Sequence, residues 1–200
     1  LLEKGADPTS GVWGAFSSGH LVMVGVLLEK GAAPNNVLAI GAYHGNMDAV
    51  KLSLEKGADP KFYHAINWAA SMGHKDIVQL LLEKGATYYD DVLMMAAQGG
   101  HMDIVQLLLE NGATDYGEGL YGAALGGHMD IVQLMLEKGA DPNKGLNDTI
   151  RIGHTEMLKL LLAQPGIDVN RTDNGRTPLD MAEQFGHTEC AEILRAAGGK

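Results

Sequence analysis

"GGHMDIVQLLLENGA" (residues 99–113) and "GGHMDIVQLMLEKGA" (residues 126–140) are the stretches that decide the fold of this chain. They are identical except at two positions, and they start 27 residues apart. Each has an acidic residue just after its Gly-His pair, then an apolar stripe, and then a closing glycine. An acid in the first turn, helical spacing of the apolar residues and a glycine stop together predict an α-helix.

The closing glycine recurs along the whole chain at a nearly fixed spacing of 26 to 28 residues. The glycines of this series are Gly5, Gly31, Gly57, Gly85, Gly112, Gly139 and Gly166. A fixed period of this length predicts a stack of similar units, each of which buries its apolar face against its neighbours. About seven such units would make residues 1–200 a single array.

The other half of each period predicts a second, shorter helix. An aliphatic residue stands eight positions before each Gly-His histidine, or before Asn46, which replaces one of them. Small residues, mostly alanine, stand five and four positions before it. The aliphatic anchors are Val12, Leu38, Ile66, Leu93, Leu120 and Leu146. Small residues let neighbouring helices approach closely, so each unit is predicted to be a helix, a turn and a helix.

The last unit, "DVNRTDNGRTPLDMAEQFGHTECAEIL" (residues 168–194), resembles the ankyrin-repeat family in its G-x-T-P-L, its alanine, its Gly-His pair and its closing helix. The resemblance implies an all-α solenoid of stacked helix-turn-helix units. The family's repeat is about 33 residues long and includes an extended hairpin. The shorter period here predicts that the β-hairpin is shortened or absent in every unit except the last.

The same resemblance sets the expected boundaries of the array. Residues 1–6 would end a preceding unit, and residues 166–200 would form a full-length-like C-terminal capping unit. Short repeats of this kind are similar to arrays of large DNA viruses and intracellular parasites. Because the chain opens on the closing phrase of a repeat, an alternative is that it is the adaptor portion of a larger protein. A missing module would then carry enzymatic or ubiquitin-ligase docking activity.

Composition and charge narrow the class of partner. The formal net charge is -10, which disfavours nucleic acid and anionic membranes, since both attract Lys and Arg. Residues 85–137 contain eight acidic residues and no Lys or Arg, so a partner protein with a basic surface is favoured there. The single cysteine, Cys190, favours a reducing compartment. We therefore expect a cytoplasmic monomer without a cofactor, in the host cytosol if the chain is viral or from an intracellular parasite.

Six of the eight histidines occupy the same position of the repeat. They are His20, His74, His101, His128, His154 and His187. Stacked helices lie about 8–10 Å apart, whereas zinc–nitrogen bonds are about 2.0–2.1 Å long. Equivalent histidines therefore cannot share an ion, and bonding to the backbone of the turn is favoured over a metal or acid–base array. No nucleophile, base and orienting residue converge in the sequence, so no catalytic, metal or cofactor-binding residues are predicted and no enzyme is expected.

One position of the repeat is aromatic in the three middle units and proline in the outer ones. Its aromatic members are Phe62, Tyr89 and Tyr116, and their neighbours are Tyr63, Tyr88, Asp90, Asp91, Asp115 and Glu118. These rings could simply cover the helix ends where the hairpin is absent. They could also form an aromatic and acidic strip for a basic partner, with tyrosines supplying contact area and acids steering the encounter. The sequence leaves both interpretations open.

The family resemblance also implies a binding surface on the concave side of the array, formed by the loops and the ends of the first helices. Tyr43, His44, Met72 and Leu125 map to that surface, at positions that vary between units. The predicted function is therefore a non-catalytic scaffold for protein–protein interaction.

Three further residues carry predictions of their own. Trp13 and Met94 share a repeat position that is expected to be buried. "LAQPGIDVN" (residues 162–170) resembles the sequence that asparaginyl hydroxylases modify in ankyrin arrays, and Asn170 would be the modified residue.

Overall fold

The structure, a computed structural model, describes residues 7–17 and 20–200, and fourteen α-helices are found there. The first helices of the successive pairs are α1 (Val12–Ser17), α3 (Pro34–Tyr43), α5 (Tyr63–Ser71), α7 (Tyr89–Gly99), α9 (Tyr116–Gly126), α11 (Asn143–Ile152) and α13 (Pro178–Phe185). The second helices are α2 (Leu21–Glu29), α4 (Met47–Glu55), α6 (Lys75–Glu83), α8 (Met102–Glu110), α10 (Met129–Glu137), α12 (Thr155–Leu162) and α14 (Thr188–Ala196). This all-helical array of helix pairs confirms the predicted fold class. The expectation for residues 1–6 lies outside the described residues.

The duplicated phrase forms α8 and α10, as its pattern predicts. In α8 the acidic Asp103 lies in the first turn, where it complements the positive end of the helix dipole. The helix is followed by Gly112, whose φ of +101° is a left-handed conformation that favours glycine. The predicted glycine stop is therefore confirmed.

The helices group into two compact bodies, Leu1–Val92 and Leu93–Lys200. In the N-terminal body the first helices α1, α3 and α5 pack on one another in order, and the second helices α2, α4 and α6 do the same. The predicted anchors Val12, Leu38 and Ile66 are completely buried between these layers. Burying a side chain of this size contributes about 1.5–3 kcal/mol, so the anchors account for the regular stacking.

The C-terminal body repeats this arrangement with α9, α11 and α13 as its first helices. Its anchors Leu93, Leu120 and Leu146 are also completely buried. The small-residue seam is tightest at Gly122 of α9, where a Cβ would stand 2.3 Å from the backbone carbonyl oxygen of Met94. Only glycine allows two helix backbones to lie this close at this point.

The connections between helix pairs are short loops, and the exception is the last one. There Asp173 and Arg176 form an antiparallel β-bridge across a turn in which Asn174 and Gly175 have positive φ. No other β-bridge and no strand occurs in residues 7–17 and 20–200. The expected loss of the hairpin from every repeat but the last is therefore confirmed for this part of the chain.

The Gly-His pair joins one repeat to the next. His74 Nε2 lies 3.1 Å from the backbone carbonyl oxygen of Tyr43, at the end of the preceding first helix. His128 contacts the carbonyl of Gln98 and His187 that of Arg151, also at 3.1 Å. His154 Nδ1 also accepts a hydrogen bond from the backbone N–H of Met157 at 3.3 Å, so the backbone-bonding interpretation is confirmed for four of the six histidines.

The glycine of the pair receives the histidine ring of the next repeat. A Cβ on Gly153, which precedes His154, would come within 2.6 Å of the His187 ring. Within the described residues, no group of three or more His, Cys, Asp or Glu could hold a metal ion, and no helix is long and apolar enough to cross a membrane.

Candidate functional site

The most distinctive surface of the N-terminal body is a network of nine contacting rings on and beside its first helices. We call it the aromatic network, and it consists of Trp13, Phe16, Tyr43, His44, Phe62, Tyr63, His64, Trp68 and Tyr88. Trp13 and Phe16 belong to α1, Tyr43 belongs to α3, and three residues, Tyr63, His64 and Trp68, belong to α5. Phe62 is the N-cap of α5. Five of the nine are predicted site residues, namely Tyr43, His44, Phe62, Tyr63 and Tyr88.

One part of the aromatic network surrounds the end of α3. The Trp13 ring lies 5.4 Å from that of Tyr43 and 5.3 Å from that of His44. His44 also stacks on Phe16, with 5.5 Å between ring centroids and 1° between ring planes. Centroid separations of about 4.5–7 Å are the range in which aromatic pairs attract. The structure thus brings Tyr43 and His44 together with two rings of the preceding repeat.

The second part surrounds the start of α5. His64 lies 5.5 Å from Phe62 and 5.7 Å from Tyr63, and Tyr63 meets Tyr88 edge to face at 5.4 Å. Trp68 joins the two parts, because its ring lies 5.9 Å from Tyr43 and 5.8 Å from His64. Sequence reasoning had not assigned Trp68 to the site.

The outer members of the aromatic network are exposed. Trp13 is 45% exposed, Tyr63 40%, Tyr88 38% and Trp68 36%. Met72, a predicted site residue directly after α5, is 43% exposed. Contiguous exposed apolar side chains of this kind mark interaction sites in soluble proteins.

The expected burial of Trp13 is wrong, and helix geometry explains why. Helix α1 buries Val12, Ala15 and Phe16, which recur at the i, i+3 and i+4 spacing of one helix face. Trp13 follows the anchor by one residue, about 100° around the helix, and therefore points away from that face. Met94 is only half-buried, so its expected burial is met in part.

A cavity of about 220 Å³ opens among these rings. It is lined by Thr9, Trp13, Asn36, Ala39, Ile40, Phe62, His64 and Trp68. Ala39 occupies the repeat position that holds Trp13 in the preceding repeat and Asn67 in the following one. The small side chain of Ala39 leaves the space between the two tryptophans unfilled.

The acidic part of the predicted strip adjoins the aromatic network. Asp90 and Asp91 lie in the first turn of α7 and are exposed, directly after the half-buried Tyr89. Carboxylates at this place complement the N-terminal end of the helix dipole.

The other predicted residues lie in the C-terminal body. Asp115 caps α9 by accepting a hydrogen bond from the Glu118 backbone N–H at 3.0 Å. Glu118 forms an exposed ion pair with Lys144 at 3.3 Å, so its charge is partly compensated. Tyr116 and Leu125 are half-buried.

Asn170 lies in the last loop and binds the C-terminal residues. Its Nδ2 donates to the carbonyl of Gly198 at 3.1 Å, and its Oδ1 accepts from the backbone N–H of Lys200 at 2.8 Å. Both ends of the side-chain amide are therefore engaged in holding residues 198–200.

A polar cavity of about 400 Å³ in the C-terminal body had no signal in the sequence. It includes Lys144, Asp148, Arg151, Arg171 and Asp173. Arg151 donates to Asp148 at 2.7 Å, and Arg171 donates to the backbone carbonyl of Asn143 at 2.9 Å. These residues come from α11 and the last loop, which are brought together only by folding.

Comparison with known proteins identifies a matching family and a solved structure with a similar fold. The model of the family described as ankyrin repeats (3 copies) matches residues 12–91, 88–145 and 120–200. Among solved structures, the crystal structure of the human ASB11 ankyrin repeat domain matches with 23% sequence identity and a TM-score of 0.70. That match covers 94% of this chain and 98% of the human domain. No curated protein sequence matches this chain.

Proposed function

Because this chain belongs to the ankyrin-repeat family, whose members generally bind proteins and are generally non-catalytic, we propose that it is a protein-binding scaffold without enzymatic activity. The binding surface consists of the loops and first helices of its repeats. The observation that supports this placement best is the aromatic network, in which four exposed rings are linked to one another directly or through a shared neighbouring ring. Tyrosine and tryptophan supply large, rigid contact area, and they are enriched where proteins bind each other.

The proposed partner presents a basic surface. Asp90 and Asp91 are exposed beside Tyr88, and the stretch 85–137 carries only acidic charges. Carboxylates around an aromatic contact steer an oppositely charged partner and raise the rate of association. The role proposed for Asp115, Tyr116, Glu118 and Leu125 is a second contact in the C-terminal body. The single cysteine, which is buried, agrees with a cytoplasmic location for the monomeric protein.

The test begins with partner capture by cross-linking and mass spectrometry, followed by affinity measurements with the purified partner. The acidic variant is Asp90→Lys with Asp91→Lys, and the matched control is Glu29→Lys with Glu55→Lys. Both double variants change the net charge equally, but the control residues lie at the ends of second helices and are exposed. We expect the acidic variant to weaken binding at least about tenfold more than the control at low salt.

The aromatic contribution is tested by Tyr63→Ala and Tyr88→Ala, which truncate exposed rings. Each is expected to cost about 1–2 kcal/mol of binding free energy, the range of a substantial interface residue. Equal partner recovery by the wild type, the acidic variant and both ring variants would refute the placement of the surface. The contribution of Glu118 is separated by exchanging the charges of its ion pair, Glu118→Lys with Lys144→Glu, which retains the pair.

A further inference from the structure

The cavity between the two tryptophans has the geometry of a site for one inserted group. Trp13 comes from α1, Phe62, His64 and Trp68 come from the start and middle of α5, and Ile40 of α3 lies between them. The rings are inclined to one another, by 70° for Phe62 and His64 and by 39° for His64 and Trp68. These rings therefore do not form a single flat stack.

The cavity is uncharged. Helices α1, α3 and α5 contain no Asp, Glu, Lys or Arg, and no carboxylate lines the space. Its polar lining consists of Thr9, Asn36 and His64, and the Thr9 hydroxyl oxygen already accepts a hydrogen bond from the Ala33 backbone N–H at 3.2 Å. A primary ammonium group carries three N–H donors and would find few acceptors here, which makes its burial costly.

A quaternary ammonium group has no N–H to satisfy and suits this lining better. Aromatic faces attract a cation through the ring quadrupole, and tryptophan does so most strongly. The cavity offers two tryptophans and a phenylalanine, and methyl groups on nitrogen gain apolar contact with Ala39 and Ile40 as well.

The charges next to the cavity favour a cation. The Asp7 carboxylate accepts a hydrogen bond from the backbone N–H of Thr9, a lining residue, and the Asp59 carboxylate accepts one from the backbone N–H of Lys61, next to Phe62. Lys61 lies in the same loop as Asp59, and its side chain extends to Gly85, where its Cε would lie 3.7 Å from an added Cβ. The whole chain has a net charge of -10, which attracts a basic ligand over longer range.

We propose that this cavity binds the trimethylammonium group of a trimethylated lysine on a basic segment of the partner protein. This inference rests on the proposed function, since it assumes that the ligand is a protein. It adds the chemical group that the first helices of the N-terminal body recognise.

Tryptophan fluorescence tests the proposal directly, because the chain has two tryptophans and both line the cavity. The probes are a short basic peptide with one trimethyl-lysine, the same peptide with unmodified lysine, and the same peptide with a carbon in place of the quaternary nitrogen. The last has the shape of trimethyl-lysine without the charge. We expect the trimethyl-lysine peptide to bind at least about tenfold more tightly than the other two, as a partly desolvated cation–π contact predicts.

Two outcomes would overturn the proposal. One is equal binding of the charged peptide and its neutral isostere, or no fluorescence change with any peptide up to millimolar concentration. The other is binding of free tetramethylammonium as tightly as the trimethyl-lysine peptide, which would show that a protein segment contributes nothing.

Variants locate the binding within the cavity. Trp68→Ala retains Trp13 as the reporter and is expected to abolish the preference for the charged peptide, whereas Trp68→Phe retains part of it. Phe185→Ala removes an exposed ring of the C-terminal body and is expected to leave binding unchanged. If the wild-type protein shows no preference for the charged peptide but still captures the partner, this inference alone is refuted, whereas failure of every capture experiment would refute the proposed function.

Discussion

Replacing Gly122 with alanine tests the closest helix contact of the C-terminal body. A Cβ at this position would lie 2.3 Å from the Met94 carbonyl oxygen and 3.1 Å from its carbonyl carbon. Both atoms belong to the backbone, so no change of rotamer can relieve the overlap, and α9 must move by about 1 Å. Overpacking of this kind costs about 1–3 kcal/mol, and the better helix propensity of alanine offsets about 1 kcal/mol. With a rigid backbone neighbour, we expect a net loss of about 2 kcal/mol.

The matched control is Gly14→Ala in α1, where a Cβ would meet no other atom within 4 Å. That variant should gain up to about 1 kcal/mol from helix propensity alone. Urea unfolding followed by far-ultraviolet circular dichroism measures both variants. For a chain of 200 residues, a loss of 2 kcal/mol corresponds to a fall of about 4–8 °C in the midpoint of thermal unfolding. An unfolding midpoint for Gly122→Ala at or above that of the wild type would refute the close approach of the helices.

Two further predictions concern the joints between repeats and the last cap. His128→Ala removes the contact to the Gln98 carbonyl and should lower the free energy of unfolding by about 1 kcal/mol, whereas exposed His20→Ala should change it by less than half of that. The pKa of Asp180 lies below its ordinary value because its carboxylate accepts two hydrogen bonds from Thr177. The bond from the backbone N–H has the larger effect, and the bond from the hydroxyl has the smaller one. The contribution of these hydrogen bonds to the free energy of unfolding is fully present when the pH is above the ordinary carboxyl pKa. It is lost as the pH falls through the lower pKa of the folded state. Thr177→Ala removes only the hydroxyl and should raise the pKa of Asp180 in a carbon-detected NMR titration, and an unchanged value would contradict the contribution of the hydroxyl.

The fold could be predicted because its determinants recur at one position in every repeat. Leu38, Leu93 and Leu120 occupy the same place in three different repeats, and all are completely buried. Each unit must present the same apolar face to its neighbour, so stacking itself imposes the repetition. A single sequence with internal copies therefore carries much of the information that an alignment normally supplies.

The aromatic network could be predicted only in part, because its contacts cross the repeat positions obliquely. Trp13, Tyr43 and Trp68 occupy three different positions of the repeat, yet their rings meet. Comparison of equivalent positions found Phe62 and Tyr89, which share one, but it could not show that Trp68 lies against His64. Contacts of this kind depend on the offset between neighbouring helices, which the period alone does not specify.

The two kinds of helix in each repeat answer to different constraints, and this explains where recognition is expected. Helices α8 and α10 are nearly identical because each contributes to the same packing layer, and a change in one would need a matching change in its neighbour. The first helices keep only their buried anchors and small residues, so their outer positions can vary without disturbing the stack. The outer positions of two first helices differ in chemical character. Helix α5 carries exposed rings and no Asp, Glu, Lys or Arg, whereas α11 carries Lys144, Asp148 and Arg151. A partner that bound both bodies would therefore need an apolar or methylated segment for one and a polar segment for the other.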